Sequence, residues 1–201
     1  MRKAIWKLLC VLGVAALSLA SGPVSAHRVP IPCDFTTGGG FVFADNGEKA
    51  NFGLVGGCKN GGFFGHVNIE DRGVTGAFIT SGNALHIDSL TVDAYFDSMT
   101  PFPSPYRDIC GTARTNTIFG DVKYRVRTRD NGEPGGLDRF GYKLTGSFGT
   151  FVRTTRELGP PGQTGGGGNI QLHKPNPSTT GPAVDPDEIT ACGSDDSGLG
   201  Q

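Results

Sequence analysis

Tryptophan is almost absent from this chain of 201 residues: the single one, Trp6, lies near the N-terminus. The sequence also lacks a nucleophile elbow, an HExxH pair, a phosphate-binding loop and a CxxC pair. After residue 26 it has no hydrophobic segment that could serve as a second membrane anchor. We therefore expect neither a transmembrane segment in the mature chain nor the catalytic residues of the enzyme classes that use these motifs.

The first 26 residues have the three parts of a secretory signal peptide. Three basic residues precede an apolar run over 8–19, and small residues occupy 24–26, where signal peptidase cleaves. The apolar run is too short to remain as a membrane span. We predict that residues 1–26 are removed on export and that the mature protein is secreted and extracellular, with the periplasm as the alternative destination.

Without residues 1–26 the chain has fewer basic than acidic residues. The whole chain has 18 Lys+Arg against 19 Asp+Glu. Three basic residues and no acidic ones leave with the signal peptide, so the formal net charge changes from −1 to −4. A mildly acidic protein of this kind is not expected to be a general nucleic-acid binder.

Helical periodicity is missing between residues 33 and 174, because the chain's 33 glycines interrupt every apolar stripe. Short runs of β-branched and aromatic residues alternate instead with Gly, Asn-Gly and Pro turns. We predict one all-β domain over 33–174, a single sandwich or barrel of about nine short antiparallel strands with glycine-rich turns. The predicted strands are 34–43, 49–56, 62–70, 84–95, 111–118, 121–129, 138–145, 148–155 and 168–173.

Four segments are predicted to be irregular. Residues 27–32 form a lead-in, 98–108 a proline-containing loop, and 158–168 a flexible connection. From 175 to 201 the chain is rich in Pro, Gly, Ser, Thr and Asp, which predicts a disordered acidic tail. The acidic residues of this tail are Asp185, Asp187, Glu188, Asp195 and Asp196.

Four cysteines follow the signal peptide, an even number that predicts two disulfides in a secreted protein. A hairpin turn near residues 45–46 lies midway between Cys33 and Cys58, which would then face each other across two paired strands. Cys110 is left for Cys192. A bulge in the glycine run at 38–40 would change this register and favour Cys33 with Cys110.

A second hairpin is predicted around the Asn-Gly at 131–132, with alternating apolar and basic residues on both strands. Matching the apolar faces pairs Val126 with Tyr142, and the same register places Arg125 opposite Lys143. It also pairs Tyr124 with Leu144 and Arg129 with Arg139. One face is then core, and the other carries six cations: Lys123, Arg125, Arg127, Arg129, Arg139 and Lys143.

Like charges that face each other across a sheet destabilise it, so the six cations need a counter-charge. Three sources are open. Carboxylates on neighbouring strands would make an ordinary solvated face, and the acidic tail could lie over the cations. An external polyanion, such as an acidic polysaccharide, a lipid headgroup or a nucleic acid, would make the hairpin a binding face.

The turn of this hairpin is also a candidate calcium site. Asp130, Asn131, Glu133 and Asp138 offer four hard oxygen ligands within nine residues, which is the ligand type that calcium prefers. The spacing matches no known calcium loop, and Gly-Glu-Pro-Gly suffices for a plain turn. We expect no cofactor, with calcium at this turn as the alternative.

Two strand faces offer weaker candidates for a metal site. His66, Asn68 and Glu70 share one face, as do His86 and Asp88, and a zinc or copper site requires the two histidines to converge.

A glycoside hydrolase would need paired carboxylates, for which Glu70 or Asp71 with Asp93 are the candidates. The pair is untypical of a β-sheet hydrolase because the mature chain has no tryptophan for a sugar cleft.

Four sequence elements occur in a characteristic order: CDFTTGGG at 33–40, KANFG at 49–53, DNGEPG at 130–135 and GGNIQLH at 167–173. In these elements the chain resembles the post-COAP domain, a bacterial secreted module often found at the end of multidomain surface proteins. The resemblance covers residues 33–173 and implies a β-rich extracellular domain of unknown function without catalytic residues. This chain departs from the usual setting because it carries the module alone, with an insertion at 96–108.

Two functions follow as hypotheses. The first is a non-catalytic secreted or cell-surface module, a binding or structural domain that contacts an anionic partner through the basic hairpin face. The alternative is a small extracellular hydrolase or metal-dependent enzyme on a β scaffold. An enzyme requires a concave site with convergent polar groups, whereas a binding module can use a flat charged or aromatic face.

Overall fold

The computed structural model describes residues 27–98 and 102–201, so the predicted signal peptide lies outside the described residues. The described residues form ten strands and one short helix. This helix lacks the length and apolar character of a membrane span. The elements are β1 (Phe35–Phe43), β2 (Lys49–Lys59), β3 (Gly62–Asp71), β4 (Leu85–Ser89), β5 (Ala94–Asp97), β6 (Tyr106–Thr115), β7 (Asp121–Arg129), β8 (Arg139–Gly146), β9 (Gly149–Glu157), β10 (Gly168–His173) and α1 (Glu188–Cys192).

All strand pairs are antiparallel, which confirms the predicted fold class. Eight strands follow the order β1-β2-β3-β4-β6-β7-β8-β9, β10 adds to the free side of β1, and β5 pairs with β6. This single sheet curls into a half-barrel. The turn regions 44–48, 116–120 and 147–148 lie at one end, which we call the upper end. The lower end contains the first residue of β1 and the last residue of β10.

The predicted strand 84–95 is two strands, and the chain bends between them. The backbone N–H groups of Leu90 and Thr91 both donate to the carbonyl oxygen of Thr112, so the regular pairing stops there. β4 pairs with the end of β6 and β5 with its beginning. β6 also starts within the predicted loop 98–108, directly after Pro105, because proline cannot donate to a sheet ladder but the residues after it can.

The first hairpin forms where it was predicted, with a register that differs by one residue from the one that places Cys33 directly opposite Cys58. Phe43 pairs with Lys49 and Phe35 with Gly57, which centres the turn near residue 46. Cys33 forms a disulfide with Cys58 beyond the paired residues. This confirms the pairing expected from their equal distance to the turn, and it rules out Cys33 with Cys110.

The concave side of the sheet holds the apolar core. The rings of Phe52 on β2 and Phe140 on β8 stack with centroids 3.8 Å apart, so the core joins opposite walls of the half-barrel. Gly56 makes room for Ile109, because a Cβ at position 56 would lie 2.6 Å from the Ile109 side chain. The predicted inward residues of β7 and β8, including Val126, are fully buried.

A buried charged group also belongs to this core. The Asp71 carboxylate accepts a hydrogen bond from the Tyr142 hydroxyl at 2.6 Å and one from Arg153 Nε at 2.8 Å. Burial raises the pKa of Tyr142 well above its usual value, and the Asp71 charge adds to that increase. The tyrosine is thereby kept as a hydrogen-bond donor, and the buried carboxylate keeps its partners.

Candidate functional site

The basic hairpin was the leading candidate site, and its predicted register is confirmed. Val126 pairs with Tyr142, and Arg125 lies opposite Lys143. Tyr124–Leu144 and Arg129–Arg139 are the other predicted pairs that the structure contains. The six cations therefore emerge together on the convex face of the half-barrel, as period-2 alternation requires.

A neighbouring strand supplies the first counter-charge. Asp108 on β6 accepts hydrogen bonds from Arg125 Nη1 at 3.0 Å and from Arg127 Nε at 2.9 Å. Its side chain is 0% exposed. Burial by itself would raise the pKa of Asp108, but the charges and hydrogen bonds of the two arginines lower it, so the group is held as a carboxylate.

The C-terminal segment supplies the remaining counter-charge to the buried arginines. Glu188 binds Arg125 with an oxygen-to-nitrogen distance of 2.5 Å, and Asp196 binds Arg127 at 2.8 Å. A disulfide between Cys110 and Cys192 joins this segment to β6, as predicted. The helix α1 begins at an N-cap, Asp187, whose carboxylate accepts from the Thr190 N–H. The segment expected to be disordered is instead folded against the sheet, because it brings acidic groups to buried cations.

The structure therefore contradicts an exposed binding face on the hairpin. Arg125, Arg127 and Lys143 are only 0%, 2% and 4% exposed, because the C-terminal segment covers them. Of the other three cations, Lys123 pairs with Asp93, Arg139 pairs with Glu157, and Arg129 lies over the ring of Tyr106. A polyanion has no access to the six cations as a group. The first two sources of counter-charge, neighbouring carboxylates and the tail, act together.

His27 completes this ionic cluster. Its Nδ1 lies 3.0 Å from Glu188 and its Nε2 lies 3.5 Å from Asp196. Burial opposes a charge on the ring, but hydrogen bonds to Asp196 and Glu188 raise the pKa of His27 to about 9. These three residues offer ligand atoms within 4.8 Å of one another, yet Arg125 and Arg127 already neutralise both carboxylates. The cluster holds the tail in place.

The carboxylates of the predicted calcium loop accept hydrogen bonds within the protein. Asp138 accepts hydrogen bonds from the backbone N–H groups of Asn131 and Ile170, each at 2.7 Å. Asp130 accepts from the N–H of Leu172 at 2.8 Å, and Glu133 accepts from the side chain of Asn169 at 3.0 Å. The three carboxylates are thus directed at the free edge of β10 rather than at a common point. They satisfy an edge strand that has no further neighbour.

The histidine faces do not form a metal site. β3 and β4 are adjacent, as such a site requires, but His86 pairs with Glu70. His66 lies four residues from Glu70 along β3, about 13 Å at the rise of a strand, and is 3.1 Å from Asp88 instead. The two imidazoles therefore do not converge.

The candidate hydrolase carboxylates are also apart and occupied. Glu70 pairs with Arg72, and Asp93 pairs with Lys123. Asp71 is buried in the core with Tyr142 and Arg153. Each of the three carboxylates is therefore bound to a partner other than a second carboxylate.

A pocket that the sequence did not predict lies at the upper end of the half-barrel. It has a volume of about 280 Å³, and its lining consists of four Phe, three Thr, two Val and two Leu residues. The aromatic members are Phe78, Phe119, Phe148 and Phe151. The rings of Phe119 and Phe148 lie 4.8 Å apart, and Phe78 lies 6.2 Å from Phe119. All four rings are partly buried, and those of Phe78, Phe148 and Phe151 pack against the core.

Turns rather than strands supply most of these rings. Phe78 comes from the connection between β3 and β4, Phe119 from the β6–β7 turn, and Phe148 from the β8–β9 turn. An apolar side chain in a glycine-rich turn is the one sequence signal that could have indicated the pocket, because turns at the same end of a meander meet in space. The hydroxyl groups of Thr115 and Thr117, also in the lining, bond to each other at 2.7 Å.

Comparisons with protein-family models, with curated proteins and with solved structures find no match to this chain.

Proposed function

We propose that this chain is a secreted, non-catalytic β module that binds a small apolar molecule in the aromatic pocket. The observation that carries the proposal is the pocket itself, an apolar cavity at the mouth of the half-barrel lined by four phenylalanines. Ligand sites of proteins are typically concave, largely apolar and already formed, and the mouths of β-barrels are among their usual places.

The size of the pocket limits its occupant. An engineered protein cavity of about 150 Å³ lined by apolar side chains stays dry and binds benzene. At about 280 Å³ the present pocket has nearly twice that volume. A two-ring aromatic molecule or a short acyl chain fits this space, and the edges and faces of the Phe rings favour the aromatic one.

The lining also supports a role in binding rather than catalysis. None of its eleven residues has a carboxylate, an imidazole, an amine or a thiol. General acid–base catalysis and covalent catalysis depend on such groups. Two of the three threonines in the lining have hydroxyl groups that are already bonded to each other.

Several features support the extracellular setting that we propose. The two disulfides are bonds typical of exported proteins. The first 26 residues have the pattern of a signal peptide, and four sequence elements resemble the post-COAP domain. The post-COAP resemblance also agrees with a β module that has no catalytic residues.

The test uses N-phenyl-1-naphthylamine, an apolar probe made of a two-ring naphthyl group and a phenyl group, whose fluorescence increases in apolar surroundings. We expect saturable fluorescence enhancement with residues 27–201 and a raised unfolding temperature, because the probe binds only the folded form. Val122→Phe places a ring into the pocket and should weaken probe binding at least tenfold. Ile118→Ala is the matched control, since Ile118 is 66% exposed next to Phe119 and does not line the pocket.

Two results would reject this function. One is the absence of saturable binding by the wild-type protein. The other is equal binding by the wild-type protein and the folded Val122→Phe variant. If Val122→Phe does not fold, probe binding is measured instead with Phe148→Ala, which opens the pocket from the β8–β9 turn.

A further inference from the structure

A second cavity, of about 530 Å³, lies at the lower end of the half-barrel, opposite the aromatic pocket. Three segments form its walls: the lead-in before β1, residues 103–105 before β6 and the chain that leaves β10. Its most deeply buried lining residues, which we call the floor, are Asp34, Asp97 and Arg107. We call this cavity the lower cleft. None of the sites predicted from the sequence includes it.

Much of the wall of the lower cleft consists of groups with little conformational freedom. Five prolines line it: Pro30, Pro32, Pro103, Pro105 and Pro175. His173, also in the lining, stacks on Phe35 with ring centroids 4.3 Å apart and an interplanar angle of 6°. The imidazole is further bonded to the Thr37 hydroxyl at 2.8 Å. Because proline and a clamped ring have little freedom to lose, a ligand can bind here without ordering the site first.

The floor is polar, buried and fixed. Arg107 donates to Asp34 Oδ1 from Nε at 3.0 Å and to Asp34 Oδ2 from Nη2 at 2.6 Å. The Tyr95 hydroxyl donates to Asp34 Oδ1, and Ser104 donates to Asp97 from both its N–H and its hydroxyl. The carboxylates of Asp34 and Asp97 are thereby held in place at the base of an otherwise apolar cleft.

The Asp34 carboxylate keeps one accepting position. An ionised carboxylate oxygen accepts two hydrogen bonds. Among the described residues, Asp34 Oδ2 accepts one hydrogen bond, from Arg107, and the Asp34 side chain is 9% exposed. Asp34 can therefore accept a hydrogen bond from a ligand's hydroxyl group without losing its own contacts, whereas the Asp97 side chain is only 1% exposed and supports the floor through Ser104.

The rim of the lower cleft carries positive charge that the protein does not neutralise. Arg28 and Lys174 are exposed and line the cleft. Within residues 27–98 and 102–201 neither forms an ion pair, in contrast to the buried hairpin arginines. The guanidinium of Arg28 lies 4.1 Å above the ring centre of Phe102, which orients it at the rim.

We propose that the lower cleft binds a sugar unit that carries a carboxylate, such as a uronic acid residue of an acidic polysaccharide. The apolar C–H face of the sugar packs on the prolines and on His173. One of its hydroxyl groups donates to Asp34, and its carboxylate binds Arg28 and Lys174. This combination of apolar walls, accepting floor and cationic rim matches the three kinds of surface on such a sugar. The proposal is independent of the ligand in the aromatic pocket.

The test is a titration of ¹⁵N-labelled residues 27–201 with a short oligogalacturonate, followed by NMR. We expect saturable shifts at Ser104, His173 and Lys174. The neutral galactose oligomer, which lacks the carboxylates, should bind about tenfold more weakly, as the loss of a charge-assisted hydrogen bond predicts. Added salt should also weaken binding of the oligogalacturonate.

Variants separate the site from general charge attraction. The Arg28→Gln, Lys174→Gln double variant should bind oligogalacturonate at least tenfold more weakly. Lys59→Gln, which removes an exposed lysine from the same end outside the cleft, should bind as the wild type does. All three substituted side chains are exposed, so both variants are expected to fold.

Four outcomes would overturn the proposal. They are the absence of saturable shifts, equal binding of the neutral oligomer, an equal loss with Lys59→Gln, and tighter binding of dextran sulfate than of oligogalacturonate. The last would show attraction to any polyanion instead of a sugar carboxylate. None of these results bears on the aromatic pocket, which the naphthylamine probe measures separately.

Discussion

Arg127 and Asp108 form a two-pronged ion pair inside the protein, 19 residues apart in the chain. Arg127 Nε donates to Asp108 Oδ1 and Nη2 donates to Oδ2, both at 2.9 Å. The two side chains are 2% and 0% exposed. A surface that would be cationic on an isolated hairpin is therefore an internal layer, shared between the sheet and the C-terminal segment.

Removal of Asp108 should be strongly destabilising. Asp108→Ala leaves Arg125 and Arg127 buried with an incomplete counter-charge, and breaking a buried ion pair in this way costs about 3–5 kcal/mol. Urea unfolding measures the change in the free energy of unfolding. Asp121→Ala, at an exposed position on β7, is the control and should change it by no more than about 0.5 kcal/mol. Similar values for the two variants would contradict the structural role of Asp108.

Stability should decrease as the pH rises from 6.5 towards 9. The pKa of His27 is 6.5 in a free side chain and about 9 in the folded protein, which binds the proton more tightly. The contribution of His27 is then complete below pH 6.5 and is lost as the pH passes through 9. Urea unfolding at several pH values should show the decrease for the wild type and a flatter profile for His27→Gln.

In acid, the stability of the fold should decrease as the pH falls. Hydrogen bonds from His27 and Arg127 lower the pKa of Asp196, although burial partly opposes this effect. A carboxylate with a lowered pKa stabilises the fold above its unfolded-state pKa, and the effect is lost as the pH falls through the folded value. Asp196→Asn should reduce this acid sensitivity. An unchanged acid profile in that variant would show that Asp196 contributes little to the attachment of the tail.

The two disulfides should contribute unequally. Cys110–Cys192 closes a separation of 82 residues and Cys33–Cys58 one of 25. The chain-entropy relation gives losses of about 4.5 and about 3.5 kcal/mol when each bond is removed. Unfolding of the two paired Cys→Ser variants measures the difference. A larger loss of stability on removal of Cys33–Cys58 would show that native contacts, rather than loop entropy, determine which disulfide stabilises the fold more.

The Asp138 loop should be structural and independent of calcium. Asp138→Ala removes the acceptor of two backbone N–H groups, which should cost about 1–3 kcal/mol. Calcium and EDTA should leave the unfolding temperature of the wild type unchanged, because the loop carboxylates already bind N–H groups of β10 and its own turn. An increase with calcium that EDTA reverses, and that Asp138→Ala abolishes, would restore the calcium interpretation.

Local pattern was sufficient to predict the hairpins. The register of β7 with β8 follows from period-2 alternation, since a slip of one residue would exchange Val126 and Arg125 between core and surface. The Cys33–Cys58 bond follows from the position of one turn. These features depend on residues close in sequence, so the chain contains the necessary information locally. The split of β4 from β5 does not, because it depends on pairing with β6.

Tertiary structure alone decided which surfaces are available. The composition of the C-terminal segment predicts disorder, yet Glu188 and Asp196 gain buried arginine partners that no local pattern reveals. Likewise, the phenylalanines of three turns form a pocket only because the meander gathers those turns at one end. The sequence by itself determined an all-β fold with two disulfides, since alternation and turn chemistry act over short distances. The burial of charge and the position of cavities depend on contacts between distant segments, and only the folded chain brings these together.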